Sequence, residues 1–250
     1  MEAIENKDDV SDELDLLASL LNEVGVCDDT AALVRGAGFC RSNSTAELYT
    51  YQINRLVFNL MDPPGGTIPL DKLGNLKDLK AILTIDLKGR YISNFNDICN
   101  PFFNLKFDVE LQCNDSDENP YLAAWHLDKH ISQPGDGKPK YHHPEYHMAF
   151  GGDLMTGRND YGGLFLLPSP RFCYPPMEAI LGVDFIMRNF YETTISEDLL
   201  TNTKYIELVK NAQYRFWRPF SISFASKWET FPGVTIQEDF SHPRTFPELF

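Results

Sequence analysis

The stretch at residues 104–113, Asn-Leu-Lys-Phe-Asp-Val-Glu-Leu-Gln-Cys, decides the fold class because every second residue in it is apolar. The charged residues Asp108 and Glu110 stand between the apolar ones, and a period of two predicts a β-strand with one apolar and one polar face. A polar connection over 114–120 follows, and 121–131 is the next strand candidate. These two segments are therefore expected to form an antiparallel hairpin with a longer connection.

Further strands are expected on both sides of this hairpin. Before it, residues 47–61 and 79–87 contain the β-branched and aromatic residues that are typical of strands. After it, 147–150 and 163–167 are short strand candidates, and 221–228 is expected to be the last strand.

Helices are expected near both ends of the chain, where apolar residues recur at helical spacing. Residues 10–24 form the first, with Ser11 as a candidate N-cap and Gly25 as its stop. The other two cover 177–191 and 203–217. Together with the strands they predict a single α+β domain, built on a mainly antiparallel sheet with one N-terminal and two C-terminal helices.

The negative charge is concentrated at the start of the chain. The 250 residues carry a net charge of −14, and residues 1–30 contain ten acidic residues and one lysine, which account for nine of those charges. Residues 1–9 are expected to be a solvated acidic tail whose deletion leaves folding intact, followed by one domain over 10–250. Such a tail suits a basic partner protein. Strong general nucleic-acid binding is not expected, because phosphate contacts need clustered Lys and Arg.

The composition also indicates the compartment. No apolar run approaches the roughly 18 residues that suggest a membrane span, and the acidic N-terminus lacks the order of a signal peptide. The five cysteines are widely spaced and none forms a Cys-x-x-Cys pair. We therefore expect a cytoplasmic protein with reduced cysteines and no membrane contact.

The most unusual feature is a cluster of histidines, since five of the six lie within 22 residues, from His126 to His147. If 121–131 is a strand, His126, Asp128 and His130 project from the same face. Imidazole can move protons or bind metal near neutral pH, and a carboxylate can orient it. The pattern predicts an acid–base array with His126 and Asp128 as catalytic residues, at which a divalent metal ion could also bind.

The return segment 141–147 could bring more imidazoles to that face. His147 is expected to complete the catalytic set, while His130 and His143 are expected to contribute to binding. Pro144 restricts His143 to an extended conformation, so the helical His-Glu-x-x-His zinc signature does not apply. The alternative is that the histidines cluster by chance, as polar surface or hydrogen-bonded core residues.

Three arginines and one cysteine are further candidates for the same site. Arg171 ends a proline-framed loop, and its guanidinium suits a phosphate or carboxylate, although a surface or structural arginine is the alternative. Cys173 would need a nearby histidine to act as a nucleophile, and a buried structural cysteine is the alternative. Arg215 and Arg218 flank two aromatic residues, which favours cation–π packing.

Four short motifs follow one another within residues 121–191: Trp-His-Leu-Asp-Lys-His at 125–130, His-Pro-Glu-Tyr-His at 143–147, Pro-Arg at 170–171 and Asp-Phe-Ile at 184–186. This order resembles TumE-type bacterial toxins and related uncharacterised defence-associated domains, in which a strand ending in an aspartate is followed by a His-Pro-x-x-His turn. The resemblance implies a component of a bacterial toxin or antiphage defence system.

The coarse order of elements is also similar to the scaffold of ubiquitin-conjugating enzymes, with an N-terminal helix, a strand meander, a His-Pro turn and C-terminal helices. Glu145 stands where that family has an asparagine after His-Pro, and Cys173 lies too far downstream. This resemblance implies a non-catalytic adaptor.

Two functions are therefore open. In the first, a phosphodiester hydrolase, His126 and His147 act as general base and acid, Asp128 orients an imidazole and Arg171 binds the developing anion. In the second, a non-enzymatic module binds the other proteins of a defence complex and the histidine segment is structural. Convergence of His126, Asp128 and His147 in space would favour the first.

Overall fold

The computed structural model describes residues 3–27, 29–60, 77–115, 117–129, 144–151, 155 and 172–246. The α-helices within these residues are α1 (Lys7–Val24), α2 (Ala31–Asn43), α3 (Ala179–Phe190), α4 (Thr193–Leu200), α5 (Thr203–Ala225) and α6 (His242–Thr245). The strands are β1 (Leu48–Asn59), β2 (Lys77–Arg90), β3 (Asp97–Ile98), β4 (Phe102–Asn114), β5 (Pro120–Lys129), β6 (Tyr146–Phe150), β7 (Phe172–Cys173) and β8 (Thr235–Ile236).

Six of these strands form one sheet in the order β1-β2-β4-β5-β6-β7, and every neighbouring pair is antiparallel. The short strands β3 and β8 form a separate parallel pair. The architecture is therefore α+β, with a mainly antiparallel sheet, an N-terminal helix and C-terminal helices, as the sequence predicts. None of the described helices combines the length and apolarity that crossing a membrane requires.

The predicted hairpin is present as β4 and β5, with Phe107 directly opposite Leu127. Its connection is closed by Asp115, whose carboxylate accepts hydrogen bonds from the backbone N–H groups of Asp117 and Asn119, each at 2.9 Å. Such local Asx turns explain why a polar loop can set the register of two apolar strands.

The core lies between one face of the sheet and the helices. The apolar stripe of α1 is fully buried there, together with alternate residues of β1, β2 and β4. Helix α3 approaches the sheet at Gly182, where a Cβ atom would lie 2.6 Å from Phe107 Cε2 and 3.1 Å from Leu83 Cδ2. A side chain at this position would therefore hold the helix away from the strands.

Three of the described helices, α2, α4 and α6, are not predicted by the sequence pattern. Helix α2 contains Gly36 and Gly38, which lower its intrinsic helix propensity. Gly36 nevertheless fits its place, because a Cβ there would lie 2.5 Å from Ile53 Cδ1 on β1. Close packing on the sheet, which is a tertiary effect, thus stabilises a helix that its local sequence does not favour.

The prediction of a strand at 221–228 is wrong, because α5 continues through Pro219 to Ala225. In the sequence, the proline suggests that the helix ends before it, since proline removes one backbone hydrogen bond. Phe216, Phe220 and Ser223 are nevertheless all buried, and they recur at helical spacing. Burial of this face outweighs the lost hydrogen bond. The strand predicted at 163–167 lies outside the described residues.

The first helix begins three residues earlier than the predicted start at residue 10, and its cap is Asn6 rather than Ser11. The side chain of Asn6 accepts hydrogen bonds from the N–H groups of Asp8 and Asp9, at 2.8 and 3.2 Å. The Asp9 carboxylate accepts the Asn6 N–H at 3.1 Å, which completes a capping box. Ser11 is instead buried inside the helix.

The acidic segment 1–9 therefore contributes to the fold through its described residues. Ile4 is only 4% exposed and forms an isolated antiparallel bridge with Ile92, next to the end of β2. The carboxylates of Glu5 and Asp8 face solvent and that of Asp9 caps α1, while the Ile4 side chain anchors the segment to the core.

We expect deletion of residues 1–9 to lower the melting temperature, contrary to what its acidity predicts. Losing the buried Ile4 side chain costs about 1.5–3 kcal/mol and losing the Asn6 cap costs about 1 kcal/mol. Thermal denaturation should therefore shift downward by roughly 5–15 °C. Deletion of residues 1–3 is the control and should leave the melting temperature unchanged; an unchanged value for both deletions would show that Ile4 and the cap contribute nothing.

The close approach of α3 can be tested with two glycine substitutions. Gly182→Ala should destabilise the protein by about 1–3 kcal/mol, because the new methyl group overlaps Phe107 and Leu83. Gly38→Ala should stabilise it by about 0.5–1 kcal/mol, because its position on α2 is exposed and open. Urea denaturation of both variants measures the difference, and equal effects would contradict the proposed packing.

Candidate functional site

The alternation of side chains along β5 separates a core face from a second face of the sheet. Leu127 is fully buried in the core. His126 and Asp128, on either side of it, project from the opposite face, as the sequence predicts. Their side chains are 18% and 40% exposed, so this part of β5 is accessible to solvent.

The next strand, β6, brings His147 to the same face. Asp128 is directly opposite His147 in the antiparallel pair, and His126 is opposite Ala149. Directly opposite residues have their side chains on the same side of a sheet. His147 is only 3% exposed, so it forms the buried side of the group, while Asp128 forms the side that is open to solvent.

His126, Asp128 and His147 lie close together, and we call them the HDH cluster. His126 Nε2 is 3.6 Å from Asp128 Oδ2. The rings of His126 and His147 are nearly perpendicular, with their centroids 6.4 Å apart. One nitrogen or oxygen atom from each of the three residues lies within 4.8 Å of the other two. The predicted convergence of these three groups is therefore present.

More charged residues line this face beside the HDH cluster. On β4, Asp108 is opposite His126 and Lys106 is opposite Asp128. Asp108 is only 4% exposed, and burial raises the pKa of its carboxyl group, an effect that Lys106 Nζ at 3.5 Å partly offsets. The next residue of β4 on this face, Glu110, is equally buried.

Cys173 lies on the far side of the HDH cluster. It occupies β7 at the position opposite His147, and it is partly buried and packs against core residues. The row Asp128, His147, Cys173 therefore crosses three adjacent strands. The nucleophilic and the structural role of this cysteine both remain predictions. His147 stands in the neighbouring position that a nucleophilic role requires.

A second polar network lies at the same end of β5 and β6, on the core side. Lys129 Nζ is 3.7 Å from Glu145 Oε1, and the Asn100 amide donates to the same carboxylate oxygen at 2.6 Å. Tyr146 donates its hydroxyl hydrogen to the Asn100 side chain. Burial lowers the pKa of Lys129 and raises that of Glu145. This network holds the residues that immediately follow Asp128 and precede His147.

The same network attaches the C-terminal segment to the sheet. Asp239 accepts a hydrogen bond from the Asn100 backbone at 3.4 Å and pairs with Arg90 at 2.7 Å. The Glu145 N–H donates to Thr245 O at 3.2 Å. The ends of β5 and β6 are thus tied to residues 239–245.

Three of the predicted site residues, His130, His143 and Arg171, lie outside the described residues, and their roles stay predictions. Arg215 and Arg218 show the expected cation–π packing. The Arg215 guanidinium lies 5.7 Å from the Phe216 ring centroid and that of Arg218 lies 5.0 Å from the Tyr214 centroid. Arg215 also forms a buried ion pair with Glu13 at 2.7 Å, which joins α5 to α1.

Comparison with protein-family models, with curated proteins and with solved structures found no match in any of the three. The resemblances to TumE-type toxins and to ubiquitin-conjugating scaffolds therefore remain predictions from the sequence. Any functional conclusion depends on the geometry of the HDH cluster.

That geometry defines what the cluster can do chemically. Three points no more than 4.8 Å apart always share a centre within about 2.8 Å of each, which is the length of a short hydrogen bond. One water molecule, or one metal ion after a small contraction, can therefore contact all three residues. Two imidazoles and a carboxylate around a single oxygen atom can remove its proton and stabilise the product of that transfer.

The sequence interpretation missed Asp108 and Lys106 as neighbours of the cluster. Both belong to the polar half of the alternation in β4 and are also the expected solvent-facing residues of such a strand. The register of the β4–β5 hairpin identifies these two residues as neighbours of the cluster, because it places residue 108 opposite residue 126. Sequence alone predicts the hairpin without fixing which residues are opposite.

We expect Asp108→Asn to raise the melting temperature at pH 8 more than at pH 4. Burial raises the pKa of Asp108 in the folded state, so the favourable protonated form is present at low pH and is lost as the pH rises through that value. The amide removes this cost at high pH and changes little at low pH. Asp117→Asn, on the exposed hairpin connection, is the matched control and should show no such trend; a pH-independent effect of Asp108→Asn would contradict the assignment.

Proposed function

We propose that this chain is a hydrolase that cleaves a phosphodiester, with the HDH cluster as its catalytic centre, and that it acts in a bacterial toxin or antiphage defence system. The observation that supports this most strongly is the convergence of His126, Asp128 and His147 from two strands around one point. These residues are up to 21 positions apart in the sequence, and only the β5–β6 register brings them together.

The roles of the three residues follow from their exposure and position. His126 is partly exposed and 3.6 Å from Asp128, so it can receive a proton from an attacking water while the carboxylate orients its ring. His147 is buried beside it and can donate a proton to the leaving oxygen. The two ring centroids are 6.4 Å apart, so both imidazoles can reach the oxygen atoms of one phosphodiester group.

The proposed substrate class also rests on the resemblance to TumE-type toxins, and Arg171 would bind the developing anion if that resemblance holds. The net charge of −14 disfavours a long nucleic-acid track. We therefore propose that the substrate is held by local contacts at the HDH cluster and not by an extended basic surface.

A second candidate function is an interaction module, which one further observation favours. A groove of about 780 Å³ between α1 and α5 is lined by acidic residues, with Lys204 as a basic residue of its wall. Asp12 is paired with Arg41 and Glu13 with Arg215, while Glu5 and Glu207 are exposed. The exposed carboxylates suit a basic segment of a partner protein. In this alternative the chain is not an enzyme and the histidine segment is structural.

Replacing either histidine of the cluster should abolish hydrolysis while the protein stays folded. We expect His126→Ala and His147→Ala each to reduce cleavage by roughly 10²–10⁴-fold, the usual contribution of a general acid or base. The substrates are labelled single-stranded RNA and DNA and bis(p-nitrophenyl) phosphate, with circular dichroism to verify folding and expression in bacteria to score growth inhibition.

The matched control is His242→Ala, which removes an imidazole that contacts Ser226 on α5 and keeps the Asp239 and Thr245 contacts to Asn100 and Glu145, so it should cleave like the wild type. Wild-type protein that cleaves none of the three substrates would reject the hydrolase. If it also inhibits growth only in the presence of a partner that binds the acidic groove, the interaction module is the better description.

A further inference from the structure

The HDH cluster has the ligand set of a mononuclear metal centre, and this can be argued from its atoms independently of the substrate. Two imidazole nitrogens and one carboxylate oxygen come from two adjacent strands and lie within 4.8 Å of one another. A site with three protein ligands leaves further coordination positions for water or substrate, which is the arrangement of catalytic metal centres.

The distances are close to those that a metal requires. Zinc–nitrogen and zinc–oxygen bonds are about 2.0–2.2 Å long, so ligand atoms on one ion lie roughly 3–3.5 Å apart. The His126 Nε2 to Asp128 Oδ2 distance of 3.6 Å already matches this separation. Since all three ligand atoms lie within 4.8 Å of one another, closure onto an ion needs side-chain shifts of less than about 1 Å.

The surroundings favour a cation at this point. Asp108, opposite His126, and Glu110, two residues along β4, place two buried carboxylates on the same face as Asp128. Lys106 lies 3.5 Å from Asp108 and Arg55 lies 3.8 Å from Glu110, and a metal ion at the cluster would add to this positive charge beside the carboxylates. His147 is enclosed while Asp128 is 40% exposed, so the open coordination positions lie towards the solvent side of the cluster.

We propose that His126, Asp128 and His147 bind one divalent first-row transition-metal ion, with Zn²⁺, Mn²⁺ and Fe²⁺ as the matching class. Imidazole ligands select these ions over Mg²⁺ and Ca²⁺, which prefer sites made of oxygen atoms alone. The inference rests on the proposed hydrolase and revises the roles of the same three groups: with an ion bound, His126 and His147 are ligands, and a water molecule on the ion takes the place of the water that His126 would otherwise deprotonate. A bound ion would lower the pKa of a water ligand and so activate it for attack on a phosphodiester.

The test measures metal binding itself. Protein freed of metal by chelation is titrated with Zn²⁺, Mn²⁺ and Mg²⁺ by calorimetry, and bound metal is counted by mass spectrometry after dialysis. We expect one equivalent of Zn²⁺, with an affinity at least 100-fold above that for Mg²⁺. His126→Ala and Asp128→Asn should each weaken Zn²⁺ binding at least 10-fold. Both side chains are partly exposed, so these two variants test the site without depending on a variant of the buried His147.

Two controls exclude other ligands. His242→Ala removes an imidazole outside the cluster, and Cys173→Ser removes the thiol in the position opposite His147. Neither should change the stoichiometry. The visible spectrum of the Co²⁺-loaded protein should show nitrogen and oxygen ligation without the intense absorption of a thiolate ligand. Stoichiometric binding lost only in Cys173→Ser, binding unchanged in both cluster variants, or no binding at all would each overturn the proposal.

The outcome for the metal is separable from that for the hydrolase. Zn²⁺ bound at the cluster by a protein that cleaves no phosphodiester would support the metal site and reject the proposed reaction. Undiminished cleavage by the metal-free protein in the presence of a chelator would reject the metal site and leave the histidines as direct acid and base.

Discussion

The pairing of Phe107 with Leu127 across the β4–β5 hairpin is the contact on which the rest of the structure depends. Both side chains are buried in the core, and they are directly opposite each other. Because side chains alternate along a strand, a shift of one residue in this pairing would exchange the two faces of β5 relative to β4. Burying this apolar pair therefore also places His126 and Asp128 on the second face. The core and the candidate site are determined by the same register.

The second face has an unusual mixture of residues for a sheet. Its centre contains the buried apolar side chains Ile82, Ala124 and Ala149, yet Asp108 and Glu110 are buried among the same strands. Both carboxylates have partners: Asp108 lies 3.5 Å from Lys106 Nζ, and Glu110 lies 3.8 Å from Arg55 and accepts a hydrogen bond from Gln112 at 2.8 Å. Burial nevertheless raises the pKa of Asp108. Titratable groups that burial perturbs in this way are typical of functional sites.

The extent to which the fold can be predicted follows the range of the interactions. The strands and α1 have strong local periodicity, and the shared face of His126 and Asp128 follows from their separation of two residues. The cap at Asn6 is also local, since Asn6 and Asp9 form a capping box within three residues, and the sequence pattern allowed it to be found. The continuation of α5 through Pro219 instead depends on packing against a distant element, as between Phe220 and Phe246.

The residues of the candidate site divide in the same way, into those that local periodicity predicts and those that depend on the pairing of strands. His147 is opposite Asp128 because of the register between β5 and β6. The long segment between these two strands leaves that register undefined at the level of the sequence. Asp108 was overlooked for a related reason, since a charged residue in an amphipathic strand has the same local pattern whether it faces solvent or a site. Neighbour relations across strands are non-local, and a single sequence contains no direct record of them.

The attachment of residues 239–245 to Asn100 and Glu145 has a consequence for the way this protein can change. Lys129 and Tyr146, which belong to that network, are the chain neighbours of Asp128 and His147. Residues 239–245 thus hold the strand ends that present these two side chains. Changes to the contacts of this segment would alter the spacing within the HDH cluster from a distance, although none of its residues belongs to the cluster.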